Sequence, residues 1–210
     1  MKNIRGRAVW GVILIVLGVL FLLQELQLVG SAFQFLWIIV SFGAGVAFLW
    51  TFASNQQNWW AAIPGLALLG LSVASLEDAL NLFPGFDVGG PAFLGSLGLS
   101  FWLIYARRQD HWWAIIPGGV LLTLAAVAGL DSVGVDYGGG IFFLGLGLTF
   151  VLVALLPSPH ADTRWSFIPA AVMLILGFTQ LTELGEEILN YWPAILIVVG
   201  LYILIQALRR

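Results

Sequence analysis

Cysteine is absent from all 210 residues. Disulfides and thiolate metal sites are therefore excluded, while the redox compartment stays open. Charge is scarce as well: 9% of the residues are charged and 60% are apolar. A soluble domain carries roughly 25% charged residues. A water-soluble fold of this size has no way to hide so much apolar surface, so the composition calls for lipid as solvent. Histidine occurs twice, at His111 and His160, and neither has the companions that a zinc site needs. No Ser-His-Asp arrangement, phosphate loop or dinucleotide fingerprint occurs. An enzyme is not expected, and neither is a cofactor or a nucleic-acid partner.

What is present is a series of apolar runs. Eight spans are expected, near Val9–Leu23, Phe33–Phe52, Trp60–Leu76, Ala92–Ala106, Trp112–Leu130, Gly140–Leu156, Phe167–Leu181 and Trp192–Leu208. They read as helices. Lipid offers no partner for a backbone amide, so each span must satisfy its own. A barrel strand would alternate apolar and polar residues instead. Links of about 5–15 residues make successive helices antiparallel neighbours. Pro64, Pro117, Pro169 and Pro193 fall just inside expected helix starts, and Pro91 just before one. Proline costs little there, because the first amides of a helix lack intrahelical partners. Met1–Arg7 followed by Ala8–Leu23 imitates a signal peptide, with Val29-Gly30-Ser31-Ala32 as a passable cleavage motif. Because the segment fits the repeat described below, it is expected to remain as the first span.

Alternate links then fall on opposite sides. One side holds Lys2, Arg5, Arg7, Arg107, Arg108, Arg164, Arg209 and Arg210, which is every basic residue in the chain. The other side holds Glu25, Glu77, Asp78, Asp87, Asp131, Asp136, Glu183, Glu186 and Glu187, leaving only Asp110 and Asp162 on the basic side. Basic residues beside a span stay in the cytoplasm. Both termini are therefore expected to be cytoplasmic, and a wrong span count would have scrambled the sorting. The link Phe52–Trp59 is uncharged and adds nothing. Trp10, Trp50, Trp59, Trp60, Trp112, Trp113 and Trp165 lie near the basic side, at the headgroup boundary that indole prefers. An aromatic ligand cage is the less favoured reading of these tryptophans.

The runs repeat with a period of about 53 residues. Trp60-Ala61-Ala62-Ile63-Pro64-Gly65 matches Trp113-Ala114-Ile115-Ile116-Pro117-Gly118. Trp165-Ser166-Phe167-Ile168-Pro169-Ala170 matches both, and Trp10-Gly11-Val12-Ile13 matches without the proline. The expected fold class is all-α: a polytopic transmembrane bundle of four two-helix hairpins forming one integral membrane domain over 1–210. The units run approximately 1–54, 55–107, 108–160 and 161–210. Two-helix units keep their direction, so these are parallel repeats. Gly43, Gly45, Gly95, Gly98, Gly145 and Gly147 lie on the returning helices and are expected to let backbones approach closely.

The first helix, Gly11-Val12-Ile13-Leu14-Ile15-Val16-Leu17-Gly18, and the last, Trp192-Pro193 through Gly200 to Arg209-Arg210, resemble the LiaI/LiaF-like transmembrane region of bacterial envelope-stress proteins. The resemblance covers the first and last units well and the middle units loosely. It implies a multi-pass protein of the bacterial cytoplasmic membrane with a sensing or scaffolding role. It supplies no catalytic residue. Against the family pattern, the chain is expected to multiply the hairpin and to do without the soluble C-terminal domain of some members.

No span, as drawn, contains Asp, Glu, Lys, Arg or His, which argues against proton-coupled transport and voltage sensing. Ser41, Thr51, Ser72, Ser75, Ser96, Ser100, Thr123, Thr149 and Thr179 are expected to bond back to their own helices. The outer acidic residues Glu183, Glu186 and Glu187 share one face if helical. Together with Glu77, Asp78 and Asp87 of the longest outer link, Leu76–Pro91, they are the remaining candidate for a divalent cation or a basic partner, with solvation favoured. The leading expectation is a non-enzymatic scaffold or envelope-stress component that acts through helix–helix contacts in the bilayer, with itself or another membrane protein. The alternative is a channel or carrier for a small neutral solute. The orientation is checkable, because the chain has no native cysteine. A cysteine at Gln109 or Ser158 should resist an impermeant thiol reagent applied to intact cells, while one at Phe83 should react; labelling of the first two would overturn the topology.

Overall fold

The computed structural model describes residues 15, 18, 19, 22, 31–135, 138–159 and 161–182. Among the described residues there are six helices and no strand. The helices are α1 (Ser31–Ser54), α2 (Ala62–Leu80), α3 (Gly89–Arg107), α4 (Ile115–Ser132), α5 (Gly138–Leu155) and α6 (Phe167–Leu181). Five stretches are long and apolar enough to cross a membrane: Phe33–Ser54, Trp59–Leu80, Gly89–Arg107, Gln109–Ser132 and Arg164–Leu181. The sixth, Gly139–Leu155, is shorter. Ile15, Gly18, Val19 and Leu22, from the first expected span, are helical. The eighth expected span, Trp192–Leu208, lies outside the described residues.

The recurring Trp–Ile–Pro motif has a local structural meaning. Tight 3₁₀ turns at Trp59–Ala61, Gln109–Ala114 and Arg164–Ser166 lead directly into α2, α4 and α6. Pro64, Pro117 and Pro169 are each the third residue of the α-helix that follows, and Pro91 holds the same place in α3. At that position a missing N–H removes no intrahelical bond. The last residue of each turn, Ala61, Ala114 or Ser166, is fully buried, so the joint has room only for a small side chain.

Two helix boundaries differ from the hydropathy pattern. α2 continues past Leu76 to Leu80, because Glu77-Asp78-Ala79-Leu80 contains no residue that breaks a helix. It stops at Asn81, which adopts a left-handed conformation (φ 46°) and donates its N–H to the Glu77 carbonyl at 2.6 Å. Glu77 thus lies within the helix with 9% of its surface exposed, rather than in a solvated link. α3 starts at Gly89, before Pro91, and the Asp87 carboxylate accepts the Gly89 N–H at 2.9 Å. Asp87 therefore has a structural role just before the helix, in an Asx turn of the kind its short carboxylate favours.

Each helix packs chiefly on its neighbours in the chain. Only 17–28% of the residues in each candidate span are buried, so the helices form a thin row whose flanks stay apolar and open. Side chains such as Ile39, Trp50, Ile168, Ile175 and Phe178 are more than half exposed. In water this surface would drive aggregation. In hydrocarbon it is the natural exterior.

Small residues bring the neighbouring helices together. A Cβ on Gly45 of α1 would stand 2.9 Å from the Gly65 carbonyl of α2, and one on Gly98 of α3 would stand 3.1 Å from the Gly118 carbonyl of α4. The second pair is the first displaced by 53 positions. Between α4 and α5 the contact is reciprocal. The Thr123 side chain covers Gly145, and the Thr149 side chain covers Gly119. Each hydroxyl donates to a glycine carbonyl of its own helix, Gly119 or Gly145, at 2.8 Å. Gly147 lies against Leu174, and Gly177 against Leu144. Gly95 makes only ordinary contact with Ala125, and Gly43 has nothing near it. Gly45, Gly98, Gly145 and Gly147 of the returning helices thus lie at seams, while Gly43 does not. Gly65, Gly70, Gly118, Gly119 and Gly177 on the outgoing helices complete them.

The seam makes a differential expectation. Gly98→Ala should destabilise the protein by about 1–3 kcal/mol through overpacking. Gly43→Ala should be neutral or slightly stabilising, since it gains helix propensity without a clash. Thermal unfolding of both variants in mild detergent checks the pair, and equal responses would refute the seam assignment.

Candidate functional site

The described residues concentrate their chemistry at one end of the row. Arg107 ends α3, Arg108 follows it and Arg164 opens the turn into α6, so all three described basic side chains lie at the same end. Glu77, Asp78, Asp87 and Asp131 lie at the other end. The expected acidic cluster, Glu183, Glu186 and Glu187, lies outside the described residues. Among the described residues no group of three or more acidic or histidine side chains is disposed to hold a metal ion.

The principal buried cluster also sits at the basic end. Ala62, Ile104, Tyr105, Ala114, Ile115 and Val153 are almost wholly enclosed, with Phe52, Trp59, Trp102, Trp112 and Leu156 packed around them. Around this cluster, polar contacts join helices that are not adjacent in the chain. The Arg107 guanidinium lies 4.5 Å over the Phe52 ring, and its Nη2 donates to the Ala53 carbonyl at 3.3 Å. This places a cation at the last carbonyls of α1, where the helix dipole favours one. The Tyr105 hydroxyl donates to the Pro157 carbonyl at 2.9 Å, just beyond α5. One turn of α3 therefore ties α1 on one side and α5 on the other.

The tryptophans of the motif pack edge-to-face against phenylalanines of the preceding helix. Phe48 and Trp60 stand 6.1 Å apart at 75°, and Phe101 and Trp113 stand 6.3 Å apart at 77°. The two pairs are again displaced by 53 positions. Phe150 and Trp165 repeat the contact at 6.2 Å and 68°. These geometries suit the quadrupoles of the rings. Trp59, His111 and Trp113 form a mutual triad with centroids 5.2–6.2 Å apart. The three rings pack against one another. The outer edges of Trp60, Trp113 and Trp165 stay partly exposed.

In-span hydroxyls turn inward on their own helices. Thr51, Ser72, Ser96, Ser100 and Thr179 donate to carbonyls three or four residues earlier, as do Thr123 and Thr149. Ser41 is buried without a partner among the described residues. An open groove of about 340 Å³ runs between α4 and α5, lined by Leu122, Thr123, Ala126, Ile141, Leu144, Gly145 and Leu148. Its lining is almost entirely apolar. Thr123 is the one lining residue with a hydroxyl, and that hydroxyl is already bonded to Gly119.

No family model matches the chain, and no curated protein or solved structure does. The site therefore rests on its own geometry. Tyr105→Phe removes only the hydroxyl that reaches Pro157, so it should lower stability by about 1 kcal/mol with helical content unchanged by circular dichroism. An unaltered unfolding midpoint would show that the contact does not hold α5.

Proposed function

We propose that the chain is a non-enzymatic scaffold of the bilayer, acting through helix–helix contacts with a second copy or with another membrane protein. The observation that carries this reading is the disposition of polar and apolar groups. The in-span hydroxyls are mostly satisfied within their own helices, while long apolar stripes remain on the flanks of the row. In hydrocarbon such stripes associate by packing rather than by escape from water. The groove between α4 and α5 lends no support to the neutral-solute carrier, since it offers a passing solute no free hydrogen-bonding group.

The proposed architecture is eight spans in four parallel hairpins, with both termini in the cytoplasm of a bacterial inner membrane. Equivalent contacts at matching spacing support it: Gly45–Gly65 with Gly98–Gly118, and Phe48–Trp60 with Phe101–Trp113. The one-sided distribution of Lys and Arg supports the orientation. The likeness of the first and last units to the LiaI/LiaF-like region makes envelope-stress sensing or scaffolding the proposed setting.

Purification of the full chain in mild detergent, after crosslinking in the membrane, should recover a homo-oligomer or a complex with another membrane protein. A photo-crosslinking residue at Ile175 or Val172, on the open flank of α6, should capture that partner. Recovery of a monomer alone, with crosslinks only to lipid, would sink the proposal.

A further inference from the structure

We infer that the basic end of the row is a docking surface for the phosphate headgroups of anionic phospholipids, with Arg108 and Arg164 as the charged contacts. The argument begins with charge. Among the described residues every arginine is at this end, and the opposite end carries only carboxylates. The three arginines are not equivalent. Arg107 is committed to Phe52 and the Ala53 carbonyl. Arg108 faces Asp110 at 3.8 Å with both side chains 47% exposed, a separation at which an ion pair is weak. Arg164 is exposed, and its guanidinium makes no ion pair among the described residues. The Asp162 carboxylate beside it accepts the Arg164 backbone N–H instead, at 3.1 Å.

The depth of these arginines fits a headgroup. Trp60, Trp113 and Trp165 stand at the same end of the helices, each 37–48% exposed. Indole rings with an apolar body and a wet edge settle at the headgroup level. Arg164 precedes Trp165, and the pair opens the turn into α6. The turn thus presents a guanidinium, a planar fork suited to phosphate oxygens, at the depth where the ring belongs. Clustered arginines beside a membrane span attract anionic leaflets in general. Here the structure separates the arginine used for packing from the two exposed ones, Arg108 in its weak pair with Asp110 and Arg164.

The inference rests on the row being in a membrane, and not on the scaffold role, so failure to capture a protein partner leaves it standing. The full chain would be placed in phosphatidylcholine nanodiscs doped with phosphatidylglycerol, and bound lipid read by native mass spectrometry. Phosphatidylglycerol should be retained in preference to phosphatidylcholine. Arg108→Gln and Arg164→Gln should each weaken that preference by about fivefold, and rising salt should weaken it in the parent. The pair Arg108→Lys and Arg164→Lys should keep most of it, which separates charge from damage to the fold. Equal retention of the two lipids, an unchanged preference in the glutamine variants, or full displacement by inorganic phosphate alone would overturn the inference.

Discussion

Helices in hydrocarbon gain nothing by hiding apolar side chains, because the surrounding lipid is as apolar as they are. What holds this row together is the close approach of backbones, and that approach requires the absence of a side chain at the crossing points. Gly45 beside Gly65, Gly98 beside Gly118, and Gly119 and Gly145 under opposing threonines are the positions where this happens. The constraint also explains the threonines. A hydroxyl at a seam must be satisfied at once, and Thr123 and Thr149 do so on the carbonyl four residues back. Both the methyl and the hydroxyl of each threonine lie over the facing glycine, and the hydroxyl donates to its own helix.

The same constraint accounts for where the structure is thick and where it is thin. Along most of their length the helices touch only their chain neighbours, and their flanks remain open. At the basic end the links, the motif tryptophans, Tyr105 and Arg107 build a true interior around Ile104, Ile115 and Val153. On the proposed placement in a bilayer, this end meets the headgroup region, where water competes again and burying apolar surface becomes favourable. On that placement, the mode of cohesion changes along the membrane normal.

Much of this was legible in the residues. Apolar runs located six described helices, and the Trp–Ile–Pro motif marked three helix starts to within a few positions. Glycine on the returning helices pointed to the seams. The partner glycines were less visible. Gly65 and Gly118 follow the motif prolines, where glycine reads as part of a turn signal rather than a packing position. Glu77 was misplaced for a related reason. A hydropathy boundary is drawn at the first carboxylate, whereas a helix ends where its backbone is broken, here at Asn81. The cross-links by Arg107 and Tyr105 had no local signature. Each partner lies 52–54 residues away, and the repeat period is the only feature of the sequence that anticipates such a distance.

The pairing of each helix chiefly with its chain neighbours has a consequence for the history of such a chain. A bundle folded around a central axis closes after a set number of helices, and an added one has nowhere to go. An open file, such as the described helices form, has no such limit. Duplication of a segment of about 53 residues would append two more helices in the same direction, and each newcomer would find on its predecessor the glycines and the phenylalanine edge it needs. Size in this architecture is set by copying, and can grow without redesign of what is already there.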